Sequence, residues 1–247
     1  MRGRFKLALQ RVVGQFGYSI RRIDRGVSLI DPYVEQQRLA GANVNVVFEV
    51  GAYDGRDCFR YLGLFPSARV FAFEPLPNSF DLLVQAVSGE PRIKPVNMAI
   101  SDEQGRSSFH ISSWADSSSL LKPKLTGSTF DVYHASDRII EVDVDTLDAV
   151  TTRFGINRID ILKLDAQGAE LKILRGAKRL ISLGAIGLIY TEVHFLESYS
   201  GSARFDQIMS VLIEYGFELH NLYGLNHNQT GRLAWGDAIF VHKSIRQ

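Results

Sequence analysis

The segment Val46-Val47-Phe48-Glu49-Val50-Gly51-Ala52-Tyr53-Asp54-Gly55 decides the fold. An apolar, β-branched run enters a glycine-bearing turn, and Asp57 to Leu64 beyond it can start a helix. Together they make the first βα crossover of a doubly wound sheet. In such sheets, ligands bind at the carboxyl ends of the strands, near the point where the strand order reverses. Gly51 and Gly55 let the backbone approach a ligand and relieve a tight turn.

Outward from this segment, short apolar runs rich in β-branched and aromatic residues alternate with helical stretches. Strands are expected at 46–50, 69–73, 93–99, 159–164, 186–192, 217–222 and 238–242, and helices notably at 169–181 and 203–215. The pattern predicts an α/β fold of Rossmann-like type, a mostly parallel seven-stranded sheet with helices on both faces. Residues 101–144 break the rhythm, with strands expected at 107–112 and 139–144 around a Ser-rich loop. This region reads as an insertion over the sheet. Loops this long in a compact domain are usually functional or mobile, so residues 112–131 are the candidate lid or acceptor-binding loop.

The domain is expected to span residues 44–247, preceded by a basic amphipathic segment, 1–43. In that segment Phe5, Leu9, Val12, Val13, Phe16, Ile20 and Ile23 recur at helical spacing among Arg2, Arg4, Lys6, Arg11, Arg21, Arg22 and Arg25. It can either lie peripherally on an anionic membrane surface or cap the domain as a packed helix. Gln10 and Arg11 interrupt the apolar run, so no cleavable signal is expected. The most apolar later stretch, 180–193, carries Ser182, Gly184, Gly187 and Glu192 and is too short to span a bilayer core of ~30 Å.

Composition narrows the function. The chain has 247 residues, 45% of them hydrophobic, enough to bury a large core in one domain. Its 28 Lys and Arg against 27 Asp and Glu give no basic field for collecting phosphates, so no nucleic-acid partner is expected. The lone Cys58 excludes an intrachain disulfide and a Cys-based zinc cage and fits a reducing, cytoplasmic setting.

A dinucleotide fingerprint needs G-x-G-x-x-G, because its second glycine lets the pyrophosphate touch the backbone. Tyr53 fills that position here. It disfavours a nucleotide-dependent oxidoreductase and suits a ligand with an amino-acid tail, as in S-adenosylmethionine. Glu74, at the end of the second strand and followed by Pro75, can accept hydrogen bonds from both ribose hydroxyls. Its distance in sequence from Gly51 is close to the roughly 20 residues that this role requires. Asn97 or Ser101, after the third strand, can contact adenine or serve a turn.

These residues resemble the FkbM family of S-adenosylmethionine-dependent methyltransferases, over residues 46–192. The family's D-V-G-A-N-x-G is matched by Glu49-Val50-Gly51-Ala52-Tyr53-Asp54-Gly55, and its E-P by Glu74-Pro75. Its later Ser-Ser-Leu, T-L-D and K-x-D-x-E-G-x-E are matched by Ser118-Ser119-Leu120, Thr146-Leu147-Asp148 and Lys163-Leu164-Asp165-Ala166-Gln167-Gly168-Ala169-Glu170. The resemblance implies a class I methyltransferase acting on a hydroxyl of a sugar, glycan or polyketide-like acceptor, a small molecule or glycan. Glu49, Tyr53 and Gln167 depart from the pattern. Gln167 matters most, because an amide is no base and a weaker metal ligand than a carboxylate. It leaves open a non-catalytic binding or scaffold module that keeps the fold.

Methyl transfer is an in-line displacement, and the acceptor hydroxyl benefits from a general base or a metal. His194 is the first candidate base, because imidazole titrates near neutral pH. The competing reading has Asp165 and Glu192 holding a divalent cation. Asp165 can also serve as a helix N-terminal residue, Lys163 can pair with it by strand alternation, and Glu170 can stabilise the helix dipole. In the 112–119 run, Trp114 can stack on a sugar face while Ser118 and Ser119 hydrogen-bond it. Trp235 reads as packing.

Overall fold

A computed structural model describes residues 31–112, 117–124 and 138–246. Most of the 1–43 segment, Trp114 and most of the candidate loop 112–131 therefore lie outside the described residues. In chain order the elements are α1 (Pro32–Ala40), β1 (Val46–Val50), α2 (Arg56–Leu64), β2 (Arg69–Phe73), α3 (Pro77–Val87) and β3 (Ile93–Val96). There follow β4 (Ala99–Ile100), β5 (Gly105–Ile111), β6 (Arg138–Asp145), α4 (Leu147–Phe154) and β7 (Ile159–Leu164). The chain ends through α5 (Glu170–Arg175), α6 (Lys178–Ser182), β8 (Ile186–His194), α7 (Phe205–Glu214), β9 (Phe217–His227) and β10 (Leu233–His242).

The main sheet has seven strands in the order β3-β2-β1-β7-β8-β10-β9. Pairing is parallel from β3 through β8, while β10 runs antiparallel to both β8 and β9. Strand order reverses between β1 and β7, which places the carboxyl ends of those two strands side by side at the switch point. Strand β1 is buried along its whole length, and its alternation divides the core. Val46, Phe48 and Val50 face Leu147, Leu174 and Ile208 on one side, and Val47 faces Tyr33, Tyr61 and Leu83 on the other. Helix α1 contributes Tyr33, whose ring lies 5.1 Å from that of Tyr61 and 5.6 Å from that of Tyr190. Among the described residues, no helix is long and apolar enough to cross a membrane.

The insertion forms a three-stranded sheet of its own, β4-β6-β5, with β4 parallel and β5 antiparallel to β6. Leu76, Ala99, Phe109, Val142 and Val144 close a small core beneath it.

Strands β9 and β10 are longer than the expected 217–222 and 238–242, because they pair antiparallel along Phe217–His227 and Leu233–His242. Three further differences each have a local physical reason. The run expected as one strand over 93–99 divides at Asn97, whose side-chain amide donates to the carbonyls of Glu74 (2.8 Å) and Pro75 (3.2 Å). The chain then leaves for the second sheet as β4. The helix expected over 169–181 breaks between α5 and α6 at Gly176, where an added Cβ would overlap the Ser101 carbonyl oxygen. The close approach of the insertion to the helix sets that break. Strand β8 continues through His194 because β10 pairs with it as far as Trp235 opposite His194.

Candidate active site

The turn after β1 is built from backbone conformation. Gly51 has φ 85°, and the amides of Gly51 and Ala52 both donate to the Phe73 carbonyl at 3.0 Å. A Cβ at Gly51 would overlap the carbonyl oxygen of Asp165, so only glycine lets β1 and β7 end this close together. Tyr53 is also left-handed, with φ 47°. That conformation aims its amide at Glu74 Oε2, 2.9 Å away, while the Leu76 amide donates to Oε1 at 2.9 Å. Gly55, φ 76°, starts α2, and a Cβ there would come within 2.7 Å of Leu83 Cδ1.

The Glu74 carboxylate is thus fixed by two amides, with lone pairs left on both oxygens for further donors. Burial pushes its pKa up to about 7, against the pull of those amides. A carboxylate held this way at a strand end suits a pair of ribose hydroxyls, and the glycine-walled turn beside it leaves room for a ligand backbone. Asn97 supports the same place by tying down the Glu74–Pro75 backbone.

A cleft opens at this point, lined by Gly51, Tyr53, Glu74, Pro75 and Met98 on the cofactor-turn side. Asp165, Ala166 and Ala169 lie along the other side, and Phe109, Ser118 and Leu120 reach in from the insertion. The insertion is therefore a wall of the site. Sequence reasoning missed Met98 and Phe109, whose spacing gives no sign that they line this cleft, while Leu120 falls in the stretch expected as the acceptor-binding loop.

Asp165 follows β7, its amide donating to the Val50 carbonyl at 3.0 Å. Its side chain is 44% exposed and opens into the cleft. Enclosure by the cleft walls raises its pKa, Lys163 opposes that, and Glu192 adds to it. Lys163 is buried on β7, with Nζ 3.1 Å from Asp57 Oδ2, 3.4 Å from Glu49 Oε1 and 3.7 Å from Asp165 Oδ2. Burial pulls its ammonium down, but Glu49, Asp165 and Asp57 outweigh it and hold the pKa well above the ordinary lysine value. Glu49 therefore sits in a buried ion pair and also accepts from the Cys58 thiol at 3.0 Å.

The turn from Asp165 into α5 is built from side chains. Glu170 is buried, and its Oε1 accepts from the amides of Ala166 (2.9 Å) and Gly168 (3.2 Å). It organises the loop, a larger part than dipole stabilisation alone. Ser119 is fully buried, its hydroxyl donating to the Gln167 carbonyl at 2.8 Å and accepting from the Leu121 amide at 3.0 Å. The Ser118 hydroxyl accepts from the Ser112 amide at 3.0 Å on the cleft wall. Thr146-Leu147-Asp148 is structural: Thr146 caps α4, and the Asp148 carboxylate accepts from the Arg179 and Leu180 amides.

His194 and Glu192 pair with each other, Nε2 to Oε2 at 3.1 Å, and neither is among the residues lining the cleft. The His194 ring is buried, edge-on to Tyr199, with Nδ1 unpartnered. Burial lowers its pKa, but Glu192 and Glu170 outweigh that and push it up to about 9. Asp237 faces Glu192 across β10 and β8, and burial with Glu192 and Asp165 nearby pushes it up to about 7. Among the described residues, no group of three or more His, Cys, Asp or Glu is arranged to hold a metal ion. The cation beside Asp165 is Lys163, and Glu192 is taken by His194.

A switch-point cleft with a glycine turn, an acid ending the second strand and a reversed strand inside the far end of the sheet defines a class I methyltransferase. The Methyltransferase FkbM domain matches residues 49–219. The 2-O-methyltransferase NoeI of Sinorhizobium fredii is 32% identical over 174 residues, covering 68% of this chain and 70% of that protein. The AMB antimetabolite synthetase AmbE of Pseudomonas aeruginosa is 29% identical over 202 residues, which cover 70% of this chain but 10% of that protein. Of solved structures, TrmK of M. capricolum in complex with S-adenosylhomocysteine superposes with a TM-score of 0.45 at 8% identity, covering 87% of this chain and 70% of that one. A precorrin-6y C5,15-methyltransferase from Geobacter metallireducens gives a TM-score of 0.44 at 10% identity, covering 89% and 93%. The chain belongs to the FkbM methyltransferase family and is an S-adenosylmethionine-dependent methyltransferase.

Proposed function

We propose that this enzyme methylates a hydroxyl oxygen of a sugar, glycan or polyketide-like acceptor, with Asp165 as the general base. The observation that carries the reading is the half-exposed Asp165 carboxylate, set on the cleft floor beside the Gly51 turn. The likeness to NoeI, a 2-O-methyltransferase by name, supports oxygen as the acceptor atom.

Bound S-adenosylmethionine supplies an electrophilic methyl group and a neutral thioether leaving group. Glu74 holds the ribose end, and Gly51 gives the backbone clearance for the rest. Asp165 accepts the acceptor's proton as its oxygen attacks, so no oxocation builds up. Its raised pKa makes it a stronger base than an ordinary surface carboxylate. His194 stays an imidazolium at neutral pH and has no proton vacancy to offer. Phe109 and Leu120 give the cleft an apolar wall on the insertion side.

The test is an Asp165→Asn variant incubated with methyl-labelled cofactor and a glycan pool, read by mass spectrometry. Transfer is expected to fall roughly a hundredfold or more, while calorimetric cofactor affinity stays near that of the parent. Undiminished transfer overturns the role of Asp165. Cofactor binding with no transfer to any acceptor, by the parent protein, favours a binding module over an enzyme acting on such acceptors.

A further inference from the structure

Gln167 stands where four chain segments meet. Its backbone is left-handed, φ 52°, a conformation rare outside glycine, asparagine and aspartate. The Glu170 carboxylate, bonded to the amides on either side of it, holds the residue there. Gly168 follows at φ 95°, packed so closely that a Cβ would lie 3.0 Å from Ser202 and Tyr199. The strained backbone turns the Gln167 side chain back over Asp165.

Its two ends do different work. Nε2 donates to Asp165 Oδ1 at 2.9 Å, and Oε1 accepts from the Tyr199 hydroxyl at 2.6 Å. The orientation is fixed chemically, since an ionised carboxylate only accepts and the amide nitrogen must face it. Tyr199 is buried, and its hydroxyl also lies 3.3 Å from the Ser117 carbonyl. The segment around it is pinned to the insertion by Lys124 N to Ser198 O and Ser200 N to Lys122 O, both 2.8 Å. The Gln167 carbonyl completes the joint through Ser119.

We infer that Gln167 is a positioning residue: its carboxamide occupies Oδ1 of Asp165, while Lys163 approaches Oδ2, and it ties that carboxylate to the insertion wall. The inference rests on the reading of Asp165 as base. An ionised glutamate at 167 could not donate to Asp165 and would place a second negative charge against it. The amide therefore works with the nearby Lys163 ammonium to favour the ionised form of Asp165. Other charged groups face Asp165 as well: Lys163 on β7, Asp57 on α2, Glu192 on β8, Asp237 on β10 and Glu74 just after β2. His194 on β8 adds a positive charge to the same surroundings.

The test needs no acceptor. Carboxyl-carbon NMR titration of aspartate-labelled full-length protein, with Asp165→Asn to assign the signal, reads the Asp165 midpoint directly. Gln167→Glu is expected to raise that midpoint by about one pH unit or more. Gln167→Asn tolerates the left-handed backbone but is too short to reach both partners, and a smaller upward shift is expected. Tyr199→Phe, which leaves the donor to Asp165, is expected to leave the midpoint nearly unchanged. Melting curves establish that each variant is folded, and Gln167→Asn decides the matter if Gln167→Glu is not. Midpoints unchanged in folded Gln167 variants overturn the inference. If the midpoints move while Asp165→Asn still transfers methyl groups, the positioning stands and the reading of Asp165 as base fails.

Discussion

Two turns meet at the floor of the cleft, one after β1 and one after β7, and they reach the same precision by different means. The Gly51 turn is set by backbone conformation, with Gly51, Tyr53 and Gly55 all left-handed, the amides of Gly51 and Ala52 aimed at Phe73 and that of Tyr53 at Glu74. Its geometry comes from a few residues close in sequence. The Asp165 turn is set by side chains from Glu170, Ser119 and Tyr199, the last two from segments far along the chain. A backbone-built turn tolerates side-chain change but not loss of its glycines. A side-chain-built turn can be retuned by a single atom, as amide for carboxylate at Gln167.

The sharpest way to break the comparison is Gly51→Ala, because Gly51 is where the turns touch. An added methyl group would meet the Asp165 carbonyl and oppose a φ of 85°. We expect a loss of roughly 3 kcal/mol of stability, from backbone strain plus the clash, and no measurable cofactor binding by calorimetry. An alanine variant that melts and binds like the parent would show that β1 and β7 have slack the structure does not display.

Glu74 offers a gentler cut, on the cofactor side only. Glu74→Gln keeps the shape but loses charge-assisted bonds worth about 2 kcal/mol, so cofactor affinity should weaken roughly thirtyfold. The parent should also bind with a pH slope. Its folded-state pKa of about 7 lies above the ordinary 4.5, so protonation favours the unliganded fold. The corresponding stability is present below pH 4.5 and lost as pH rises through about 7. Ribose hydroxyls need the carboxylate, so S-adenosylhomocysteine should bind about tenfold more weakly at pH 6 than at pH 8. Titrations at both values check this, and a slope that survives in Glu74→Gln would assign it to another group.

The same contrast explains what the sequence could and could not disclose. Strand β1, the turn at Gly51 and the place of Glu74 at the end of β2 were readable because they depend on local sequence pattern and on backbone freedom. The parallel sheet followed from the same local signals. By contrast, Ser119 read as a sugar contact and Asp148 as part of a motif without a role, since their partners lie at Gln167 and at the start of α6. His194 read as lying two residues past the strand and open to the cleft, but pairing with β10 carries β8 through it, and its ring is buried. Tyr199 and Asp237 gave no signal, because only the folded register brings them to Gln167 and Glu192.

The smallest expected effect probes Tyr53. Its backbone amide serves Glu74 from a left-handed conformation that costs a tyrosine more than it costs an asparagine. If position 53 contributes mainly its backbone, Tyr53→Asn should relieve about 1 kcal/mol of strain and raise the melting temperature by about 3 °C. Cofactor affinity should then shift by no more than about twofold, as for a side chain outside the binding contacts. The ring does line the cleft, however, so the opposite result is informative. A lower melting temperature with weakened binding would show that the ring packs on the bound cofactor, making even this turn partly a side-chain construction. Melting curves with and without S-adenosylhomocysteine separate the two, since strain relief raises both curves and a lost ligand contact lowers only the second.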